Sequence, residues 1–127
     1  IAASRAEVSD WHRVAELAKS ALDTDIIRQA AQFEHWLELT MTKPVGSTVL
    51  EGVADLVYRS LDGSLVVVDF KTDMQLTQET LDGYWSQLSA YANMIHQATG
   101  ETVSRLSLIQ CSRTPARVLN AYLQTQN

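Results

Sequence analysis

The beginning of the chain contains two stretches whose apolar residues recur about every 3.6 positions, the period of an amphipathic helix. The first stretch is defined by Trp11, Val14, Ala15, Ala18 and Leu22. The second is defined by Ile26, Ile27, Ala30 and Phe33. Thr24 or Asp25 is its predicted N-cap, because short polar side chains there accept a backbone N–H. We therefore expect two helices before the first strand.

The middle of the chain has the patterns of β-strands. Residues 36–43 form a candidate strand, and residues 44–47 form its turn. Two valine-rich segments, 50–58 and 65–70, follow with Leu61-Asp62-Gly63 between them. A three-residue loop with glycine in the left-handed position would pair residue 60 with residue 64. The sequence therefore predicts a β-hairpin with a defined register.

A third helix is predicted over residues 81–98, where one apolar stripe ends before a C-capping glycine, Gly100. Residues 103–110 form another candidate strand. The tail is either a helix that begins at Thr114-Pro115 or an edge strand through Val118. The order α-α-β-β-β-α-β predicts an α/β fold with a central mixed sheet flanked by helices.

Length and composition favour one domain spanning residues 1–127, and a hydrophobic fraction of 46% is enough for a core. No apolar run reaches the length of a membrane span and no signal peptide is recognisable, so we expect a cytoplasmic protein. The single cysteine, Cys111, excludes an internal disulfide. Because the chain begins at Ile1 rather than Met, we expect it to be a fragment of a longer protein. Its net charge of −5 is unfavourable for holding nucleic acid unaided.

The hairpin carries the residues most suited to chemistry. Its predicted register places Asp55 directly opposite Asp69, and Lys71 lies on the same face as Asp69. Opposed carboxylates repel each other, and a divalent cation such as Mg²⁺ or Mn²⁺ would remove the repulsion. The alternative is that all three residues are ordinary solvated side chains. A two-residue loop would place the two aspartates on opposite faces.

Four further residues are candidates for a supporting role or a DNA contact. Gln87 and Tyr91 share one face of the third helix, and Gln87 points either at the hairpin or at solvent. Asp73 either contacts a phosphate or a metal-bound water, or begins the loop after the hairpin. Glu38 either reaches the metal site, pairs with a cationic side chain, or faces solvent. The three histidines have no metal-ligand spacing.

Three motifs in this order resemble a known family. They are Gly52-x-x-Asp55, Asp69-Phe70-Lys71-Thr72-Asp73 and Gln87-x-x-x-Tyr91. Together they resemble the nuclease domain of RecB/AddA-type helicase–nucleases in the PD-(D/E)xK superfamily, which has a restriction-endonuclease-like core. The resemblance implies a Mg²⁺-dependent (or Mn²⁺-dependent) deoxyribonuclease of the exonuclease type that acts in double-strand-break repair and recombination. It also implies that Asp55, Asp69 and the Phe70 carbonyl bind the metal and that Lys71 is catalytic.

The resemblance further implies partners that this sequence does not contain. Helicase domains of the same chain would use ATP and feed single-stranded DNA to the nuclease, with a second helicase–nuclease subunit as a further partner. No glycine-rich phosphate loop is present here, so ATP would bind only in the helicase portion. The family's metal-binding histidine is expected upstream of Ile1, because His12 fits its pattern poorly. The alternative function is a catalytically inactive scaffold domain in a DNA repair complex.

Overall fold

The computed structural model describes residues 20–112 and 115–123. In chain order, its elements are α1 (Asp25–Gln32), β1 (His35–Val45), β2 (Thr48–Arg59), β3 (Leu65–Lys71), α2 (Gln78–Thr99), β4 (Val103–Gln110) and β5 (Arg117–Tyr122). The first predicted helix, with His12, lies outside the described residues except for residues 20–22, which are helical. The predicted α/β class is confirmed. No helix in the described ranges is long and apolar enough to cross a bilayer.

Within the described residues, the strands form one mixed sheet in the order β1-β2-β3-β4-β5. Neighbouring strands are antiparallel except for β3 and β4, which run parallel and are connected through α2. Helix α2 begins where the Thr77 side chain accepts the Thr80 N–H, and it ends at Gly100, whose φ is 77°. Both caps are typical of helix ends, and the predicted glycine cap is confirmed.

The tail is a strand, so the prediction of a helix from Thr114-Pro115 was wrong and the edge-strand alternative is confirmed. β5 pairs with β4 through Ile109–Val118 and Leu108–Leu119. Val118 packs on one side of the sheet and Leu119 on the other. Successive side chains on opposite faces are the strand period, and pairing here covers the free edge of β4.

The hairpin between β2 and β3 has the predicted register. The Ser60 N–H donates to the Ser64 carbonyl at 2.8 Å, and Gly63 takes a φ of 87°. Strand pairs then run from Arg59–Leu65 to Leu56–Val68. Asp62 accepts hydrogen bonds from both serine hydroxyls and the Ser64 N–H, which lower its pKa to about 2. The turn is therefore defined by glycine backbone freedom and by an aspartate that bonds its own loop.

Two apolar layers cover the sheet. The larger layer lies between the sheet and α2, and its fully buried members include Val57, Val67, Leu88, Leu106 and Leu108. The smaller layer contains α1 residues packed on the opposite face, and its members include Ile26, Ala30, Tyr58, Val66 and Val68. Strands β3 and β4 are covered on both faces, which explains why their sequences read as nearly continuous apolar runs.

Strands β1 and β2 switch faces together at one position. Trp36 and Leu39 are three residues apart, yet both pack in the α2 layer, and so do Ala54 and Val57 on β2. A regular strand would place residues three apart on opposite faces. Pairing is regular on both sides of the switch, and Glu38 within it has a φ of 52°. The positive φ of Glu38 therefore accompanies a change in which side of β1 and β2 packs against α2.

Candidate active site

The site lies where the ladder between β2 and β3 ends. The last pair is Leu56–Val68, whereas β3 remains paired with β4 as far as Lys71–Gln110. Beyond Val68, the Phe70 N–H donates to Asp55 Oδ2 at 2.8 Å instead of to a strand carbonyl. The Asp55 carboxylate therefore fills the split between the two strands and completes the hydrogen bonding of β3.

Asp55 and Asp69 converge in this split, one residue beyond the last ladder pair, so the predicted direct strand pairing of the two aspartates is not formed. Asp69 is only 6% exposed, and the two side chains share a hydrogen bond. Burial, followed by this bond to Asp69, raises the pKa of Asp55 from 3.8 to about 6. The Phe70 N–H and the charge of Lys71 act in the opposite direction. Burial and the neighbouring Asp69 carboxyl thus make the ionised form of Asp55 less favourable than in water.

Lys71 is the cation of the site. Its Nζ lies 2.9 Å from Asp69 Oδ2 and 3.4 Å from Gln87 Oε1. The same nitrogen lies 4.1 Å from the centroid of the Tyr84 ring. Strand β3 thus supplies the Asp69 carboxylate and the Lys71 ammonium group from one face. Helix α2 supplies the Gln87 amide and the Tyr84 ring that surround the ammonium group. Of the two orientations considered for Gln87, the structure has it directed at the hairpin.

Asp73 begins the loop after β3 and connects it to two other elements. Both of its carboxylate oxygens accept from the Tyr84 hydroxyl at 2.9 Å. Its backbone carbonyl accepts from Gln110 Nε2 at 3.0 Å and from Ser112 Oγ at 2.6 Å. Burial and then the Asp73 bond raise the pKa of the Tyr84 phenol, so the hydroxyl remains a donor. These contacts favour a structural role for Asp73.

Tyr91 packs directly on Gly52, so the Gly52-x-x-Asp55 and Gln87-x-x-x-Tyr91 motifs are in contact. A Cβ atom on Gly52 would lie 2.4 Å from Tyr91 Cε1, closer than any real contact. The glycine of Gly52-x-x-Asp55 is therefore required for the close approach of α2 to β2. Tyr91 supports the helix–sheet packing on which the position of Gln87 depends.

Two sequence candidates do not join the cluster. Glu38 is exposed, and within residues 20–112 and 115–123 its carboxylate has no hydrogen bond or ion pair. His12 lies outside the described residues, while His35 and His96 bond backbone carbonyls of Phe33 and Glu101. The part of the chain that the structure describes contains no group of three acidic, histidine or cysteine residues that could hold a metal. Among the described residues, Asp55 and Asp69 are the candidate carboxylate ligands of a cation.

Comparison with known proteins agrees with this geometry. The sequence matches the model of the PD-(D/E)XK nuclease superfamily over residues 2–126. The chain belongs to this superfamily. Its fold resembles that of a protein from Eubacterium rectale provisionally named an exonuclease, with a TM-score of 0.58 and 15% identity over 91% of this chain and 46% of that one.

A second similar structure is the protein designated SSO0001, with a TM-score of 0.57 and 17% identity over 95% of this chain and 55% of that one. At these identities the likeness concerns the fold alone. The PD-(D/E)XK chain described here spans about half the length of the two solved structures. No curated protein matches it significantly.

Tyr84 is a residue of this nuclease site that the sequence reasoning missed. The apolar stripe of α2 assigned it to the core, and its ring does pack against the α2 layer. Its face also meets Lys71 Nζ and its hydroxyl meets Asp73. The available signal was its position three residues before Gln87, which places both on one helix face.

Proposed function

We propose that this nuclease-superfamily chain is a Mg²⁺- or Mn²⁺-dependent deoxyribonuclease domain that hydrolyses phosphodiester bonds. One observation carries the proposal: the carboxylates of Asp55 and Asp69 converge in a buried split beside the ammonium group of Lys71. Carboxylate and carbonyl oxygens are the ligands that these cations prefer. A cation at this position would favour the ionised forms of both carboxylates, including that of Asp55, whose pKa burial and Asp69 raise.

The proposed roles follow from position. Asp55 and Asp69 would hold the cation, with the Phe70 carbonyl as a further ligand that the family resemblance implies. When bound, such a cation neutralises charge on the phosphate and lowers the pKa of a coordinated water. Lys71 would place its ammonium against the charge that develops on the phosphate. Gln87 accepts a hydrogen bond from Lys71 and thereby restricts the rotamers of the Lys71 side chain.

We further propose the cellular context that the three motifs imply. The domain would belong to a helicase–nuclease of the RecB/AddA type in the cytoplasm, acting in double-strand-break repair. Helicase domains would use ATP and deliver single-stranded DNA, and a second subunit would complete the complex. The support is the combination of the Asp69–Asp73 motif with Gln87 and Tyr91, together with the absence of a phosphate-binding loop from this sequence.

Nuclease assays on single-stranded and double-stranded DNA with Mg²⁺ test the proposal. We expect Asp69→Asn or Lys71→Gln to lower the cleavage rate by about 100-fold or more, because each removes charge stabilisation from the transition state. Asp62→Asn is the matched control, since it changes an acidic residue in the hairpin turn and should leave cleavage unchanged. If the proposed helicase–nuclease and its two site variants are equally inactive with either cation, the scaffold alternative is correct.

Cation binding is tested separately by thermal unfolding. A cation that binds only the folded chain raises the melting temperature by mass action. We therefore expect Mn²⁺ to stabilise the wild type and the Asp62→Asn control, and to have no such effect on Asp69→Ala. An equal rise in all three proteins would mean that Mn²⁺ binds elsewhere.

A further inference from the structure

We propose that Tyr84 is a positioning residue that holds the ammonium group of Lys71 over its ring and so keeps the lysine directed at the reacting phosphate. The inference rests on the proposed nuclease function and assigns a role to a side chain that the sequence motifs leave out. Tyr84 acts through Lys71 and has no assigned contact with the substrate.

The first argument is the geometry of the ring and the ammonium. Lys71 Nζ lies 4.1 Å from the centroid of the Tyr84 ring. A cation at this distance over an aromatic face is attracted by the ring quadrupole, more strongly where water is excluded. The Lys71 side chain is 16% exposed and that of Asp69 is 8% exposed, so the contact is largely desolvated.

The second argument is that the Tyr84 ring leaves the positive charge of Lys71 available for a phosphate. Lys71 also contacts Asp69 Oδ2, and Asp69 is one of the two proposed metal ligands. A carboxylate engaged with a metal is a weaker partner for lysine, and lysine is a flexible side chain with much rotamer entropy to lose. An aromatic face attracts the ammonium without neutralising its charge. The contact with Tyr84 can therefore persist while Lys71 stabilises charge on a phosphate.

The third argument is that the ring is itself anchored. The Tyr84 hydroxyl donates to both Asp73 carboxylate oxygens at 2.9 Å. The Asp73 carbonyl is bonded in turn by Gln110 and Ser112 at the end of β4. Helix α2, the loop after β3 and strand β4 thus meet at the tyrosine, which gives a flexible lysine a rigid support.

The experiment compares Tyr84→Leu, Tyr84→Phe and Trp85→Leu in the same DNA cleavage assay. The first variant removes the ring, and the second keeps the ring but removes the Asp73 bond. Trp85 is the control, because it is the next residue of α2 and packs against the same apolar layer. We expect Tyr84→Leu to lower kcat about tenfold or more with little change in KM, and Tyr84→Phe to recover most of that loss. Trp85→Leu should lower stability and leave kcat unchanged.

A second readout needs no DNA cleavage. The ring current of Tyr84 should move the NMR signal of the Lys71 ε-methylene upfield, and the signal is assigned by its loss in Lys71→Gln. We expect Tyr84→Leu to abolish the upfield shift and Tyr84→Phe to keep it. If Tyr84→Leu leaves kcat unchanged, or if Trp85→Leu lowers kcat as much, the positioning role is wrong. If the wild-type helicase–nuclease cleaves no DNA, the proposed function fails, and the ε-methylene signal still decides whether Tyr84 holds Lys71.

Discussion

Asp55, in the split between β2 and β3, has a raised pKa that makes the stability of the fold depend on pH. Its pKa is about 6 in the folded chain, mainly because of burial and then because of Asp69, against an ordinary value of 3.8. Between these two values the folded state binds more protons than the unfolded state. The contribution of Asp55 to the free energy of unfolding is therefore fully present below about pH 4 and is lost as the pH rises to about 6.

Asp55→Asn should remove this dependence. The amide oxygen can still accept the Phe70 N–H, but the side chain no longer titrates. Water reaches part of the side chain, so we expect the pH-dependent difference between wild type and Asp55→Asn to be on the order of 1 kcal/mol. Urea unfolding in EDTA at several pH values between 4 and 7 measures it. Parallel curves for the two proteins would contradict the assigned pKa shift, because carboxyls that do not contact Asp55 are the same in both proteins and cancel.

Glu38 has a backbone conformation that reverses the usual preferences of a strand. A φ of 52° costs a residue with a side chain about 1–2 kcal/mol relative to the right-handed region. At an ordinary strand position, valine stabilises and glycine destabilises. We expect Glu38→Gly to raise the free energy of unfolding by about 0.5 kcal/mol and Glu38→Val to lower it by about 1 kcal/mol.

The matched control for Glu38 is Thr40, which is exposed on the same strand and paired normally with Val53. There, glycine should lower the free energy of unfolding and valine should raise it or leave it unchanged. Chemical denaturation of the four variants gives the comparison. The same order of stability at both positions would mean that Glu38 is not strained.

At the scale of elements, the spacing between α2 and the sheet depends on one glycine. Gly52→Ala would place a Cβ against the Tyr91 ring, so either the ring or the helix must move. Overpacking of this kind costs about 1–3 kcal/mol. We expect Gly52→Ala to lower the free energy of unfolding by that amount and to weaken cleavage, since the Lys71–Gln87 contact also spans α2 and the sheet.

Gly83→Ala is the matched control, because Gly83 is exposed in α2 and an added Cβ meets nothing within 4 Å. Alanine there should stabilise by about 0.5–1 kcal/mol, the ordinary difference between the two residues in a helix. Gly52→Ala combined with Tyr91→Leu should recover part of the loss, as expected for residues in contact. Additive effects in the double variant would mean that the glycine matters for another reason.

The elements that sequence could predict were those with local causes. The hairpin register followed from Gly63, because a left-handed glycine in a three-residue loop leaves one pairing for the strands. The end of α2 followed from Gly100 in the same way. β5 was harder, because Pro115 suits a helix start, whereas the edge of β4 that Val118 and Leu119 cover is formed by a distant part of the chain. Local preference lost to tertiary pairing there.

The candidate site was predictable only in part for the same reason. The hairpin register predicted that Asp55, Asp69 and Lys71 are neighbours, and in the structure Lys71 contacts Asp69 and Asp55 lies beside Asp69. Tyr84 was assigned to the core, because a helical stripe does not show which ring lies over a lysine on another element. The face switch at Glu38 also has no signal in a pattern that assumes strict alternation.

At the scale of the whole molecule, one half of the described sheet is continuously paired, and the other half separates from it. β3 and β4 stay paired and are buried on both faces, whereas β2 pairs with β3 only from Leu56 to Arg59 and with β1 alone over its earlier residues. Asp69 and Lys71 therefore lie on β3, which stays paired with β4. Asp55 lies on β2 at the point where β2 separates from β3. Acidic groups from both halves meet at the division, which creates a polar site beside the apolar residues of β2 and β3.

The net charge of −5 bears on how such a site meets a polyanion. The chain has 10 lysines and arginines against 15 aspartates and glutamates. Some of the cations are already engaged: Arg59 pairs with Glu34 and Glu101, and Lys71 pairs with Asp69. Phosphate contacts by basic side chains supply most non-specific affinity for DNA. We therefore expect this chain to bind DNA more weakly than about 1 µM at physiological salt, even with Mg²⁺ present.

Salt titration makes this last prediction quantitative. The logarithm of the binding constant falls with the logarithm of salt concentration by about 0.9 for each phosphate neutralised on duplex DNA. A chain with a net charge of −5 should show a shallow slope, and Asp82→Lys, which raises the net charge by two on the exposed surface of α2, should tighten binding and steepen the slope. The proposed helicase domains would then supply the basic channel that the nuclease lacks. Submicromolar binding with a steep slope by the unaltered chain would show instead that it carries a DNA-binding surface of its own.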